Sequence, residues 1–441
     1  MIESATTRTF WPRARRRSPG IAGVARVELV KLTAQAPARV AAAVCLLGPF
    51  AFVAVLAAQP AVPADTLFGR WVHQTGFAIP LVILGFAGSW GFPVLAGLLA
   101  GDLFAAEDRH DTWKTALTRS RSRFELFAGK TLAAAVLTIW LALGLAVASI
   151  VAGLAGSGAK PLVDLSGTVI SPGRALQLCA ESFALVLAPL LAFTALALLL
   201  SVVSRSGVLG VLGAALAGLV MQVLALVGSG AALRTVLPSS GFDAWHGLFA
   251  APEALRPVEQ SILVAAAWAT VCTGAAWFVF RRRDFAGSAP VARRSRLARG
   301  RSVIALAAGV ALVAAAAGWG PPAVTASRLD AAIGPEFEHL VTLQQRELGH
   351  GLAAGARLKL LSTCRRRGAT TPYRGPGDWF CTLTAVAANL RQMPLNYDVD
   401  VRPDGCFTAH GPPAVGGALL RGHRAAGTPN PLYAFDGCFE T

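Results

Sequence analysis

The 441-residue sequence predicts an all-α polytopic membrane protein that carries a small α+β domain at its C-terminal end. Three observations support this fold class. Hydrophobic residues make up 54% of the chain and charged residues only 15%, whereas soluble proteins contain about a quarter charged residues. Long apolar segments recur as far as residue 320, and four of the seven cysteines follow residue 360. The apolar composition and the long apolar segments predict membrane helices, and the clustered cysteines predict a cross-linked domain.

Seven segments reach the length of about 20 apolar residues that a helix needs to cross a bilayer. They lie at 39–58, 76–100, 131–156, 175–203, 207–232, 261–280 and 302–320. Lys and Arg favour the cytoplasmic side of a membrane, and they are densest in 101–130 and in the linker 281–301. We therefore expect a plasma-membrane protein with the N-terminus cytoplasmic and the C-terminus outside.

The net charge of +16 is compatible in principle with nucleic-acid binding. The arginine clusters lie beside apolar segments, however, where membrane orientation and the anionic bilayer surface account for them. We therefore expect the lipid bilayer as a partner and no nucleic acid. Residues 1–22 are too polar for a cleavable signal peptide and are expected to form a basic cytoplasmic tail.

The predicted spans contain few ionisable side chains. Arg174 and Glu181 lie near the outer end of the fourth span, where they can reach the interface. A charge retained deep in a span usually marks an ion or proton path, so the bare spans disfavour a transporter driven by an ion gradient. Glycines in the fifth span, among them Gly207 and Gly210, favour close helix packing within one subunit over a dimer contact.

A charged segment, 107–130, separates the second and third spans. Trp113, Leu117 and Phe124 give it an apolar stripe that suits a membrane surface or a groove on another protein. The alternative is a solvated loop that its positive charge keeps inside. A solvated loop needs the basic residues but neither the aromatic residues nor the length.

This segment resembles the first cytoplasmic loop of ABC-2 type exporter permeases. Their loop has Glu, three residues and Gly-Thr, and it ends with Arg and Lys before the third span. The matching positions here are Glu107, Thr112, Leu117, Arg123 and Lys130, while Asp111 stands where the family commonly has Gly. The segment 24–40 also resembles the family's amphipathic helix before the first span. The resemblance implies a six-span permease domain over 23–280.

The resemblance further implies that the loop is a coupling helix that docks into a separate ATPase subunit. The residues expected to couple the chain to that ATPase are Glu107, Asp111, Thr112, Trp113, Leu117, Arg119, Arg123 and Lys130. No complete phosphate-binding motif occurs in this chain. The GKT at 129–131 lacks the required glycine, because position 124 is Phe. We expect no catalytic residue, metal or cofactor here, with ATP and Mg²⁺ bound by the partner, and a homo- or heterodimer of permeases.

The tail, 321–441, is expected outside the cell, where disulfides persist. Its four cysteines allow three pairings, and sequence order favours Cys364–Cys381 and Cys406–Cys438. A zinc site is the less favoured alternative, because the spacing lacks a CxxC pair. The segment 331–364 has helical periodicity, with possible breaks at Gly334 and Gly351. The segments 377–385 and 396–409 alternate like strands.

Two functions remain open from the sequence. The first is the permease subunit of an ATP-driven exporter of a lipid-like, drug or other amphiphilic substrate. The second is a membrane-anchored sensor or assembly protein that acts through its extracytoplasmic tail. The first predicts that the 107–130 segment is essential, and the second that residues 302–441 are.

Overall fold

The protein forms a bundle of membrane-length helices with a separate sheet domain at one end. The computed structural model describes residues 20–59, 66–113, 115, 117, 122–226, 236–250, 253–283, 309, 324–349, 359–368, 373–387, 390–402, 405–420 and 428–438. Six helical segments within these residues are long and apolar enough to cross a membrane. We call them spans 1 to 6: Ala36–Ala58, Ala78–Ala100, Arg123–Ser157, Pro172–Ser204, Gly207–Leu224 and Arg256–Arg281. They confirm the first six predicted spans.

The predicted seventh span, 302–320, lies outside the described residues apart from Gly309. A Cβ on Gly309 would contact the Val271 side chain of span 6. Gly309, the one described residue of the predicted seventh span, thus lies against span 6.

The described helices of the membrane unit are numbered in chain order. Their bounds are α1 Ile21–Ala34, α2 Ala36–Ala58, α3 Ala78–Phe86, α4 Phe92–Ala100, α5 Ala105–Arg109, α6 Arg123–Ser157, α7 Pro172–Leu185, α8 Leu187–Ser204, α9 Gly207–Leu226 and α10 Arg256–Arg281. A π-helical turn, Ala87–Gly91, joins α3 to α4 within span 2. Side-chain caps begin two of the helices: Ser122 accepts a hydrogen bond from Glu125 N, and Ser171 from Arg174 N.

Glycine sets the distance between spans 2 and 5. A Cβ on Gly210 would overlap the Gly101 carbonyl oxygen, and one on Gly218 would contact the Pro93 ring at 2.7 Å. Small residues permit such close backbone approach between membrane helices. The fifth-span glycines Gly210 and Gly218 therefore pack within one subunit, as the sequence predicts.

The connection before span 6 contains a 3₁₀ helix, Ser240–Phe249, with most of its side chains buried. The Trp245 and Phe249 rings pack against Phe68, with centroids 6.2 and 5.0 Å away. A short hairpin, β1 Leu162–Val163 with β2 Val169–Ile170, lies at the same end of the bundle, where Leu165 N donates to Phe249 O. The aromatic residues of this connection therefore face the protein interior.

The tail is a helix packed on a five-stranded antiparallel sheet. The helix is α11, Ala326–Glu347, and the strands follow in the order β3-β4-β5-β6-β7. Their bounds are β3 Lys359–Arg366, β4 Gly377–Ala387, β5 Leu390–Val401, β6 Cys406–His410 and β7 Ala434–Cys438. The core of this domain includes Phe337 of α11 and Trp379 and Tyr397 of the sheet. This is the α+β domain that the sequence predicts.

Two disulfides join neighbouring strands of this sheet. Cys364 and Cys381 stand opposite each other on β3 and β4, and Cys406 and Cys438 on β6 and β7. This is the pairing that sequence order favours. Each bridge therefore fixes the register of one antiparallel pair.

The helix in the tail is shorter than the sequence suggests. The predicted helix over 331–364 ends at Glu347, and β3 occupies 359–366. Gly349 has a φ of 78° just after the helix, in the left-handed conformation that commonly ends helices. Gly334, a suggested break, lies inside α11. Apolar periodicity alone does not separate a helix from a following strand, because β3 is stabilised by pairing with β4, a contact that its own periodicity does not contain.

Candidate coupling site

The two ends of the helix bundle carry different elements. One end, which we call the tail end, carries the sheet domain: Arg70 Nη1 donates to Asn430 O at 3.2 Å, and Arg402 Nη1 lies 3.1 Å from His246 Nδ1. The other end, which we call the basic end, brings together α1, α5, the start of α6 and the end of α10. Most of the residues expected to couple to an ATPase lie at the basic end.

A group of four charged side chains, of which Glu28, Glu107 and Lys130 are buried, connects three helices of the basic end. Lys130 Nζ of α6 lies 2.9 Å from Glu28 Oε2 of α1 and 3.0 Å from Glu107 Oε1 of α5. Lys31 Nζ also reaches both carboxylates, at 3.0 and 3.2 Å. We call these four residues the charge cluster. Its two ammonium and two carboxylate groups balance, which is how charges are tolerated away from water.

The residue before Lys130 allows the cluster to form. A Cβ on Gly129 would lie 2.6 Å from Val24 Cβ and 3.2 Å from Ala25 N, so only glycine lets α1 pack this closely on α6. The approach brings the Glu28 carboxylate to Lys130, whose side chain is only 1% exposed. The GK pair that resembled part of a phosphate-binding loop thus has a packing role in this chain.

The carboxylate of Glu107 is held in its charged form. Burial raises the pKa of this carboxyl, but the nearby Lys130 and Lys31 ammonium groups and the Thr112 hydroxyl outweigh burial and lower the pKa to about 2. Thr112 Oγ1 donates a hydrogen bond to Glu107 Oε2. Thr112 therefore connects the segment after α5 to the charge cluster.

An aromatic group lies beside the charge cluster and includes Trp113. The Trp113 ring packs on Phe280 of α10 with centroids 5.3 Å apart and on Phe104 at 6.1 Å. Its Nε1 donates to Asp108 Oδ1 at 2.9 Å, and Arg283 Nη2 donates to Asp108 Oδ2 at 3.0 Å. Trp113 is therefore fixed on two sides and is only 4% exposed.

The structure places the remaining expected coupling residues at different positions. Arg123 Nη1 donates to the carbonyl oxygens of Arg281 and Arg283, both at 2.9 Å, which joins the start of span 3 to the end of span 6. Leu117 is partly buried against the membrane core. Asp111 is exposed and has a φ of 49°, and Arg119 lies outside the described residues. Asp111 adopts a left-handed conformation that glycine adopts more readily.

The predicted helix over 107–130 is thus divided between separate elements. Glu107 belongs to α5, which ends at Arg109, and Lys130 belongs to α6, which begins at Arg123. Residues 113, 115 and 117 are helical. Among the described residues, the two ends of the charged segment therefore belong to different helices of the membrane unit.

Several residues that complete the site were not identified from the sequence. Glu28 and Lys31 belong to the segment 24–40, which resembles an amphipathic surface helix, but Glu28 is buried, while Val27 and Val30 are exposed. Asp108 and Arg283 were not assigned a contact. The available signal was Glu28 itself, the one carboxylate in the segment 24–40. Among the described residues, no group of His, Cys, Asp and Glu is arranged to hold a metal ion.

Comparison with known proteins identifies the membrane unit. Residues 25–227 match the family described as ABC-2 family transporter protein. The matched segment begins in α1 and extends just beyond α9, so it contains the charge cluster. The curated proteins contain no match to this chain. The segment 25–227, which contains spans 1 to 5, therefore matches the ABC-2 transporter family, and this match supports an ABC-2 type permease.

Proposed function

We propose that this chain is the permease subunit of an ATP-driven exporter and that a separate ATPase subunit docks at its basic end. The charge cluster is the observation that carries the proposal. It joins α5, which leads into the charged segment, to α1 and to span 3 through short ion pairs. Rigid packing of this kind transmits a displacement between elements, where a flexible loop absorbs it.

The exposed part of the charged segment is the docking element in this proposal. Asp111, Thr112 and Thr115 are exposed, whereas Trp113 between them is buried. The buried residues then hold the segment, and the exposed residues present it to the partner. Arg123, hydrogen-bonded to the end of span 6, extends the connection to a second span. ATP and Mg²⁺ are bound by the partner, and two permease chains line the path.

The charge distribution supports placing the basic end in the cytoplasm. Lys31, Arg109, Arg123 and the arginines at 281–283 lie at this end, and positive residues favour the cytoplasmic side. The disulfides lie at the opposite end, in accord with an oxidising exterior. In this proposal the exported substrate is lipid-like, a drug or another amphiphilic molecule.

The test is an ATPase assay on the permease purified together with its ATPase and reconstituted in lipid. Lys130→Met removes one charge of the buried cluster, and Lys160→Met removes an exposed charge at the tail end. We expect Lys130→Met to abolish the stimulation of ATP hydrolysis by transported substrate while the ATPase stays bound, and Lys160→Met to leave stimulation unchanged. Normal stimulation in a folded Lys130→Met complex contradicts the proposal.

The second candidate, a sensor acting through the tail, is favoured by the contacts of the tail with the membrane unit. Besides Arg70 and Arg402, Leu340 of α11 packs where a Cβ on Gly167 would lie. The tail therefore contacts three connections between spans of the permease, at Arg70, Gly167 and His246. Deletion of 302–441 distinguishes the two candidates: an exporter keeps its basal ATP hydrolysis and ATPase binding, whereas a sensor loses its function.

A further inference from the structure

Three carboxylates meet where the tail packs on the membrane unit. Glu336 lies on α11 and Asp436 on β7, and Asp164 follows β1 in the hairpin between spans 3 and 4. The charges of Asp436 and Asp164 both act on Glu336. We call these three residues the carboxylate trio. Because two of them belong to the tail and one to the membrane unit, the trio spans the contact between the two parts.

Glu336 is the member of the trio that lacks a compensating contact. The residue is 3% exposed, and among the described residues its Oε2 has no hydrogen-bond partner. A Cβ on Gly437 of β7 would overlap this oxygen, so the carboxyl group packs directly on the strand backbone. One turn further along α11, Leu340 packs on Gly167 of the hairpin. Glu336 is therefore enclosed between the sheet and the hairpin.

Asp436 is compensated by groups from both parts of the protein. Thr408 Oγ1 donates a hydrogen bond to Asp436 Oδ1. The positive charges that act on this carboxylate are those of Arg402, Arg70 and His410. Because Arg70 belongs to the connection between spans 1 and 2, its attraction to Asp436 favours docking of the tail on the membrane unit.

Asp164 is held in place by its own turn. Its Oδ1 accepts hydrogen bonds from Ser166 N at 3.0 Å and from Thr168 N at 2.7 Å. The positive group that acts on it is His339, which is exposed on α11. The Asp164 carboxylate therefore keeps a fixed position near α11 while the tail is docked.

The Glu336 carboxyl favours its neutral form in the docked tail. Burial, with the nearby Asp436 and Asp164 carboxylates, raises its pKa well above the usual range, because neighbouring like charges in a buried site oppose ionisation. Release of the tail would expose Glu336 to water and separate it from Asp164, so its pKa would return towards the ordinary value of about 4.3. Docking is therefore fully favoured below that value and is weakened as the pH rises through the raised pKa.

We propose that the tail is a proton-controlled clamp on the membrane unit. The tail stays docked while the Glu336 carboxyl is protonated, and it is released when that carboxyl gives its proton to solvent. The docked tail contacts the connections between spans 1 and 2, 3 and 4, and 5 and 6, so its release frees these connections to move independently. The simpler alternative is a buried carboxyl that stays neutral in every state and controls nothing.

The test measures distances in the full chain in nanodiscs by double electron–electron resonance, with spin labels on non-canonical amino acids. One pair, at Lys160 and Arg365, joins an exposed position of the membrane unit to an exposed position of the tail. We expect a single distance at pH 5 and a second, longer distance that grows towards pH 9. The ratio of docked to released protein should fall by at most about tenfold per pH unit, the limit for linkage to one proton.

Three variants connect this response to the trio. Glu336→Gln should keep the docked distance at both pH values, because the amide replaces the neutral carboxyl. Glu338→Gln, a partly exposed carboxyl on the same helix, is the matched control and should respond like the parent protein. Asp164→Asn removes the carboxylate of the membrane unit and keeps its Oδ1 acceptor, so Glu336 ionises more easily and release should move to lower pH if Asp436 alone opposes it less.

Three results overturn the proposal. The first is one unchanged distance between positions 160 and 365 from pH 5 to pH 9. The second is the same response in Glu336→Gln as in the parent protein. The third is a broadened distance for a second pair within the tail, at Arg346 and Arg365, at the pH where the first pair lengthens, because this result would identify unfolding in place of release. None of these outcomes depends on coupling to an ATPase.

Discussion

The Lys130 ammonium lies 3.0 Å from the Glu107 carboxylate, and the Lys130 side chain is almost fully removed from solvent. The two residues are 23 positions apart and belong to different helices, α5 and α6. Their contact brings together the first and the last residue of the charged segment, 107–130. An unpaired charge at this depth is costly, so the segment and span 3 keep a fixed relative position.

Replacement of Lys130 should therefore destabilise the permease strongly. Lys130→Met leaves two carboxylates with only the half-exposed Lys31 as a partner, and breaking a buried pair costs about 3–5 kcal/mol. The Lys130→Met, Glu107→Gln double variant should recover part of this loss, because the uncompensated charge is removed. Thermal unfolding in detergent measures both. Additive losses in the double variant would show that the two side chains do not interact.

Asp111 should accept glycine and reject a β-branched residue. Its φ of 49° is in the left-handed region, which costs ordinary residues about 1–2 kcal/mol and glycine much less. We expect Asp111→Gly to match or exceed the parent protein in unfolding temperature. Asp111→Val should lower that temperature and reduce ATPase binding. Thr115→Val, at a nearby exposed position, controls for the new side chain, and equal effects of the two valine substitutions would argue against backbone strain.

The two disulfides should stabilise the tail to similar extents. They close loops with sequence separations of 17 and 32 residues, for which chain entropy gives contributions of about 3 and 4 kcal/mol. Replacement of both cysteines of one bridge by serine, Cys364→Ser with Cys381→Ser or Cys406→Ser with Cys438→Ser, should make the tail sensitive to protease while spans 1–6 stay folded. Proteolysis of the full chain in nanodiscs measures this effect. An unchanged cleavage rate in both variants would mean that the bridges add nothing.

The tail should be more stable at mildly acidic pH than at alkaline pH. Burial, with the nearby Asp436 and Asp164 carboxylates, raises the pKa of the Glu336 carboxyl well above its usual range. Stability from the neutral carboxyl is fully present below the ordinary pKa of about 4.3 and is lost as the pH rises through the raised value. Protease resistance at pH 5 and pH 8 measures the difference. Glu336→Gln should remove most of it, and Glu347→Gln, exposed on the same helix, should not.

Sequence patterns located the elements whose physical cause is local. The apolar length of spans 1–6 is such a property, and the order of Cys364, Cys381, Cys406 and Cys438 favoured the observed pairing because neighbouring strands of this sheet follow one another along the chain. Contacts between distant segments were not accessible in this way. Glu28 and Lys130 are 102 positions apart, and the periodicity of α1 does not reveal that its carboxylate faces a lysine.

The predicted helix over 359–364 was wrong because strand pairing, which the periodicity of a segment does not contain, decides between helix and strand there. Residues 359–364 continue an apolar pattern that suits a helix, but β3 forms because β4 offers a hydrogen-bonded partner and a disulfide at Cys381. The contacts of Trp113 and Arg123 on α10 and at its end were likewise not predicted, because α10 is distant from both residues in sequence.

Photo-crosslinking from Thr115 tests the docking of an ATPase at the basic end most directly. The full chain, purified from its native membranes as an ATP-hydrolysing complex, carries a photoreactive residue either at Thr115, exposed in the charged segment, or at Lys160, exposed at the tail end. We predict that the residue at 115 crosslinks to the ATP-hydrolysing subunit and that the residue at 160 does not. Crosslinking of that subunit from 160, with none from 115, would contradict the account.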